Sequence, residues 1–234
     1  MSADDPADGE GEAPASWREM AVARSLDPAR VRAEARVQRF LDAALELMAE
    51  DPDKEFTVQE VVERSGQSLR SFYQYFAGKY ELLLALFEES VRTTAALLRD
   101  KVDEETEPLA RLQRFVTEYY ELCRPVPKGK PAKKVLTQVP APVMAEFAQQ
   151  LLTGHPKEAS RAYVPLVGLL EELMEEAAAA GRLREGIRHR QIAGIVIQAI
   201  SFTAFSVTIS GTPVRDDRDA AKEAWELVFL GIQA

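Results

Sequence analysis

Between Ser68 and Lys79 the chain carries hydroxyls at Ser68, Tyr73 and Tyr75, a guanidinium at Arg70, an amide at Gln74 and an ammonium at Lys79. Hydroxyls, amides and cations are the groups that contact phosphate oxygens, and a guanidinium also reads base edges. Arg70 is the strongest candidate reader. A bidentate contact to guanine is worth about 1 to 3 kcal/mol of discrimination, whereas Leu69 can only touch a thymine methyl. Such groups need a short, rigid support, and residues 56–87, FTVQEVVERSGQSLRSFYQYFAGKYELLLALF, supply one. Thr57 and Glu60 make a capping box that starts a first short helix with Val58, Val61 and Val62 on its buried face. Ser65-Gly66 ends it, Gly66 giving the left-handed backbone of a tight turn. Ser68 caps the next helix, where Leu69, Phe72, Tyr73 and Phe76 recur at three- and four-residue steps. Phe72 and Phe76 read as core, and Tyr73 as partly core with its hydroxyl outward. The spacing is that of a helix-turn-helix.

At these residues the chain resembles the TetR family of transcriptional regulators. The resemblance lies in Ser65-Gly66 at the turn, Ser71-Phe72-Tyr73-Gln74-Tyr75-Phe76 in the recognition helix, and Lys79 at the start of the fourth helix. It covers about a fifth of the chain and departs from the family in polar Gln67 after the glycine, and in Val62 and Ser65 where small alanines are usual. It implies that Tyr73, Tyr75 and Lys79 contact phosphates, and that Ser68, Leu69, Arg70 and Gln74, with Gln59 on the first short helix, face the groove. The link 181–187, GRLREGI, is similar to the turn before the penultimate helix in many C-terminal domains of the family, a weaker match.

The net charge of −9 looks wrong for a nucleic-acid binder, yet it sums over a whole chain of 234 residues. Locally the balance reverses: between Arg24 and Arg39 five arginines face Asp27 and Glu34, a net of about +3. This stretch opens the first helix, expected from Asp27-Pro28 to Asp51-Pro52 with Val37, Phe40, Leu41, Ala44, Leu45, Leu47 and Met48 as its apolar stripe. Arg30 and Arg24 are the better candidates for phosphate contact among these arginines, which otherwise form a solvated basic face. The acidic opening, residues 1–23, is expected to be a disordered tail, followed by a DNA-binding domain over 24–78 and a ligand-binding and dimerisation domain over 79–234. One cysteine excludes a disulfide scaffold, and the opening residues lack a basic-then-apolar secretory pattern, so the expected location is the cytoplasm.

The rest reads as helix: 80–102 as a lever from the head, 106–124, a segment to Leu152, a long one over 157–180, then 188–210 and 219–232. The fold class is therefore all-α, with about nine helices. Pro125 to Pro142, holding five prolines and four lysines, reads as an exposed basic loop. The apolar run Ile192 to Ile209 approaches membrane-span length, but Gln198, Ser201, Thr203, Ser206 and Thr208 interrupt it, so no membrane partner is expected. With Ala221, Ala224, Trp225, Val228, Phe229 and Ile232 it predicts a homodimer through the last two helices.

Phe115, Tyr119, Cys123, Phe147, Leu151, Tyr163, Leu170, Phe202 and Phe205 are the candidate lining of a ligand pocket, although each residue type is equally at home in a core. Their character suits a hydrophobic small-molecule effector. An enzyme has little material here: two histidines, no metal-ligand spacing, no glycine-rich phosphate loop and no implied cofactor. Glu171, Glu172, Glu175 and Glu176 read as a solvated acidic face. The expected function is a dimeric repressor that binds a near-palindromic double-stranded DNA operator and is released by its effector; the alternative is a helical ligand-binding dimer with a degenerate head.

Overall fold

The computed structural model describes residues 17–51, 54–124, 142–211 and 219–233, with side chains from residue 28 in the first segment and residue 144 in the third. Among the described residues ten helices follow one another: α1 (Trp17–Glu50), α2 (Val58–Ser65), α3 (Leu69–Tyr75), α4 (Lys79–Val102), α5 (Pro108–Cys123), α6 (Pro142–Gly154), α7 (Pro156–Ala162), α8 (Val164–Ala179), α9 (His189–Ser210) and α10 (Ala220–Ile232). Among the described residues there is no strand, only an isolated antiparallel bridge between Leu183 and Gln233. The basic loop expected over residues 125–142 lies outside the described residues but for Pro142.

At the N-terminal end, α1, α2 and α3 close around three aromatic rings. Phe40 packs edge-on against Phe72 at 5.4 Å and Phe76 at 6.1 Å, the arrangement that aromatic quadrupoles favour. Val61, Val62, Ala44 and Met48 complete this core. The cap of α2 is the one its sequence implies. Thr57 N–H donates to Glu60 Oε2 at 2.7 Å, and Glu60 N–H donates to Thr57 Oγ1 at 3.2 Å. Lys54 first, then the Thr57 N–H and hydroxyl, hold the Glu60 carboxyl down at about 2. Arg64 forks onto Glu50 at 2.7 and 2.8 Å, fixing the end of α2 to the end of α1.

Two boundaries differ from the sequence reading. α1 begins at Trp17, with Pro28 inside it rather than at its first turn. Pro28 offers no N–H to the Arg24 carbonyl, but it is exposed, and a long helix accommodates that loss by bending. The helix expected over 157–180 is two helices, α7 and α8, parted at Tyr163. Pro165 explains the break: without an N–H, and with its ring against the preceding turn, it cannot continue α7. Tyr163 therefore stands at a corner.

α4 crosses from the head into the larger helical body, packing on α5 and α8 and, at its start, on α6 and α7. α9 packs on α8 and α6, and α10 packs chiefly on α5. α9 is long and apolar enough to cross a membrane, yet only a third of its apolar window is buried. Ile195, Phe202 and Ile209 stay exposed along it at seven-residue steps, as do Leu227 and Leu230 on α10.

Candidate nucleic-acid interface and C-terminal cleft

The turn between α2 and α3 orients the interface. Gly66 takes φ 64 and ψ 23, and the Gly66 and Gln67 amides donate back to Glu63 and Val62 carbonyls, closing α2. Gln67, the departure from the family pattern, has a local role: its Nε2 donates to the Arg36 carbonyl at 2.9 Å and ties the turn to α1. Ser68 caps α3, its Oγ accepting from the Ser71 amide at 3.1 Å.

On this support the candidate groups separate by face. Phe72 and Phe76 are buried, while Ser68, Leu69, Arg70, Tyr73 and Gln74 are exposed. Tyr73 is 58 % exposed, more outward than a half-core tyrosine, with its ring edge-on to Phe72 at 5.5 Å. Tyr75 is half-buried. Gln59 is exposed and donates to Glu63 at 2.9 Å, on the helix before the turn. Lys79 is committed elsewhere at present: it pairs with Glu55 at 3.1 Å and lies over the Phe56 ring, 4.8 Å from its centroid. A surface pair of this kind is weak, so a phosphate can replace Glu55. Arg30 points to solvent, paired with Glu34 at 3.5 Å on its own helix. The side chain of Arg24 is outside the described residues.

Arg36 is the residue the sequence reading passed over. It joins Gln67, Ser68, Arg70, Ser71 and Gln74 around a shallow, polar depression of about 300 Å³ at the start of the recognition helix. Two guanidiniums, two hydroxyls and two amides there can hold phosphate oxygens at the rim and read base edges within the groove.

The C-terminal candidates divide differently. Phe115, Tyr119, Phe147, Leu151, Leu170 and Phe205 are buried in one continuous core, Tyr163 joins them, and Cys123 is half-buried at its edge. Phe202 does not belong to this set. It is 53 % exposed on the outer face of α9, because the helix turns Ser201 and Phe205 inward instead. A cleft of about 240 Å³ does open between the α7–α8 corner and α9, with Ala159, Tyr163 and Val167 on one side and Arg190, Gly194 and Gln198 on the other. Of the nine candidate residues, Tyr163 alone lines it. Gly194 faces open space there: a Cβ on it would meet nothing within 4 Å.

Three polar links join α4 to the helices around this cleft. The Tyr80 hydroxyl donates to Glu158, Arg161 reaches Glu88 at 3.1 Å, and Arg99 forks onto Glu172 at 2.6 and 2.7 Å. Glu171 pairs with Arg190 at 2.8 Å and Glu176 with Arg111 at 3.0 Å. The acidic run on α8 is a solvent-facing surface on which three of the four carboxylates make ion pairs. The Arg99 guanidinium lowers the Glu172 pKa, and burial opposes it only partly.

Comparison with known proteins agrees with this arrangement. Residues 40–86 match the family described as bacterial regulatory proteins, tetR family. The fatty acid metabolism regulator protein of Bacillus subtilis (strain 168) is 22% identical over 167 residues, 70% of this chain and 79% of that protein. The fold is similar to the transcriptional regulator FadR from Bacillus subtilis in complex with stearoyl-CoA, with a TM-score of 0.62 at 18% identity over 84% of this chain and 99% of that one. The fatty acid degradation regulator FadR from Bacillus halodurans gives a TM-score of 0.60 at 18% identity over 84% and 95%. The capped helix pair, the glycine turn and the exposed polar row of α3 all lie inside the segment that matches the tetR family of bacterial regulatory proteins.

Proposed function

We propose that this chain is a cytoplasmic homodimeric repressor that seats two α3 helices in successive major grooves of a near-palindromic operator and leaves it when a hydrophobic small molecule occupies the C-terminal cleft. The observation that carries the DNA-binding half is the polar surface of Arg36, Gln67, Ser68, Arg70, Ser71 and Gln74, held over an aromatic core that fixes its orientation. In this reading Arg70, Gln74, Ser68, Leu69 and Gln59 face base edges. Arg36, Arg30, Tyr73, Tyr75 and, after exchange with Glu55, Lys79 hold phosphates. Phosphate contacts set affinity and its salt dependence, and base contacts set sequence preference.

The effector half is supported by the cleft beside Tyr163 and by the stearoyl-CoA bound to the structurally similar FadR from Bacillus subtilis. Stearoyl-CoA is accordingly the first probe. The test is a gel-shift titration on DNA from upstream of the protein's own coding sequence, with and without stearoyl-CoA. Gly194→Val places a branched side chain in the cleft without a clash at Cβ. That variant is expected to keep DNA binding and lose release by the probe. Release undiminished in Gly194→Val would remove the cleft as the effector site.

A further inference from the structure

Arg36, from α1, and Arg70, from α3, line the same depression. Neither guanidinium has a hydrogen-bond or ion-pair partner among the described residues, whereas Arg30 and Arg64 of the same head are paired with Glu34 and Glu50. Two unpaired cations on different helices meet one duplex together only if their spacing is fixed, the first on a phosphate and the second on a base edge. The apolar core does little to fix it. Between residues 28 and 39, α1 has only Ala33 and Val37 half-buried, and its first buried side chain among those described is Phe40, packed on Phe72 and Phe76.

Gln67 supplies a second point of attachment, one turn before Phe40. Its Nε2 donates to the Arg36 carbonyl at 2.9 Å, and the partner sets the orientation of the amide, since a carbonyl only accepts. In an α-helix that carbonyl also accepts from the amide four residues on, here Phe40, so the Gln67 bond uses its second lone pair and leaves α1 intact. Gln67 is itself fixed from the other side. It follows the left-handed Gly66, and its backbone N–H donates to the Val62 carbonyl at 3.3 Å. One side chain thus joins the backbone of Arg36 to the turn from which α3 starts, next to the Ser68 cap of that helix.

We propose that Gln67 is a positioning residue for sequence recognition: by holding the Arg36 carbonyl it keeps Arg36 in register with Arg70, so that a phosphate and a base edge of the operator are met together. This rests on the reading of the depression as a DNA surface. On an arbitrary duplex Arg36 needs no register, because any phosphate serves. The bond therefore matters for operator affinity and not for non-specific affinity.

The experiment uses the full-length protein with Gln67→Met, with Arg36→Ala and with both. Methionine keeps the length of glutamine and has no donor, and Arg36→Ala removes the guanidinium but keeps the carbonyl. Fluorescence anisotropy measures affinity for DNA from the protein's own upstream region and for a scrambled duplex of the same length. Gln67→Met is expected to bind own-region DNA about fivefold more weakly and the scrambled duplex as the wild type does. In the Arg36→Ala background the same substitution should change neither affinity, because no guanidinium is left to position. Three results overturn the proposal: own-region binding unchanged in Gln67→Met, equal weakening on both duplexes, as loss of head stability gives, or an own-region loss that persists without Arg36, as direct contact of Gln67 with DNA gives. In each of them a wild type that prefers its own region leaves the DNA-binding reading standing. A wild type that binds both duplexes equally removes both.

Discussion

Arg36 and Arg70 illustrate how much of an interface a linear pattern reveals. Arg70 was legible because the glycine turn and the serine cap set its place on a short helix whose other face is Phe72 and Phe76. Arg36 was not: it is one of five arginines in a row of sixteen residues, and periodicity identifies the apolar stripe without saying which flank meets a helix thirty residues on. Only the folded chain puts it beside Gln67, Ser68 and Arg70. The same holds for Gln67, whose contact with the Arg36 carbonyl spans 31 residues. If Arg36 holds phosphate while Arg70 reads a base, their losses differ in kind. Arg36→Ala is expected to weaken binding to all sequences alike and to reduce the slope of log affinity against log salt by about one per contact, without changing sequence preference. Fluorescence anisotropy over a range of salt concentrations measures both quantities.

At the scale of elements, capped helices and their breakers were the readable part. Thr57, Gly66, Ser68, Glu107 and Gly211 each bound a helix close to where the sequence puts its end. Prolines misled in both directions, since Pro28 sits inside α1 and Pro165 parts α7 from α8; local sequence does not say whether a long helix tolerates the lost amide. That second break has a consequence for coupling. α7 is short and stands between the cleft and the lever: Pro156, Ala159 and Ser160 line the cleft, while Glu158 and Arg161 hold Tyr80 and Glu88 of α4. A ligand that shifts α7 therefore has a direct mechanical connection to the helix that carries α3, in addition to the Arg99–Glu172 pair further along. The double variant Glu158→Ala, Arg161→Ala is expected to bind operator and stearoyl-CoA much as the wild type does, but to require at least several-fold more ligand for the same release. The check is a three-way titration of protein, DNA and ligand, in which unchanged coupling would exclude α7 as the link.

For the whole molecule, what one chain leaves uncovered matters as much as what it buries. The run Ile192 to Ile209 raised the question of a membrane, and the described fold shows the reason for its apolarity to be divided. Ala193, Val196, Ile197, Ser201 and Phe205 pack inward, while Ile195, Phe202 and Ile209 form an outward seam at seven-residue steps. We propose that a second copy of this chain packs along that seam, together with Leu227 and Leu230 of α10. Phe202→Glu places a charge in the seam without touching the buried core. It is expected to give a folded monomer by analytical ultracentrifugation, with unchanged helical content and operator affinity reduced at least tenfold, because one α3 alone engages only a half-site.

All of this depends on the head reading sequence rather than merely attracting DNA. The most direct test is the affinity of wild type and Arg70→Ala for DNA from the protein's own upstream region, against a scrambled duplex of the same length at physiological salt. The wild type is expected to prefer its own region by at least a hundredfold, two chains per site, and Arg70→Ala to lose about 1 to 3 kcal/mol of that preference per half-site. Equal affinity of the wild type for both duplexes, or a preference untouched in Arg70→Ala, would contradict it.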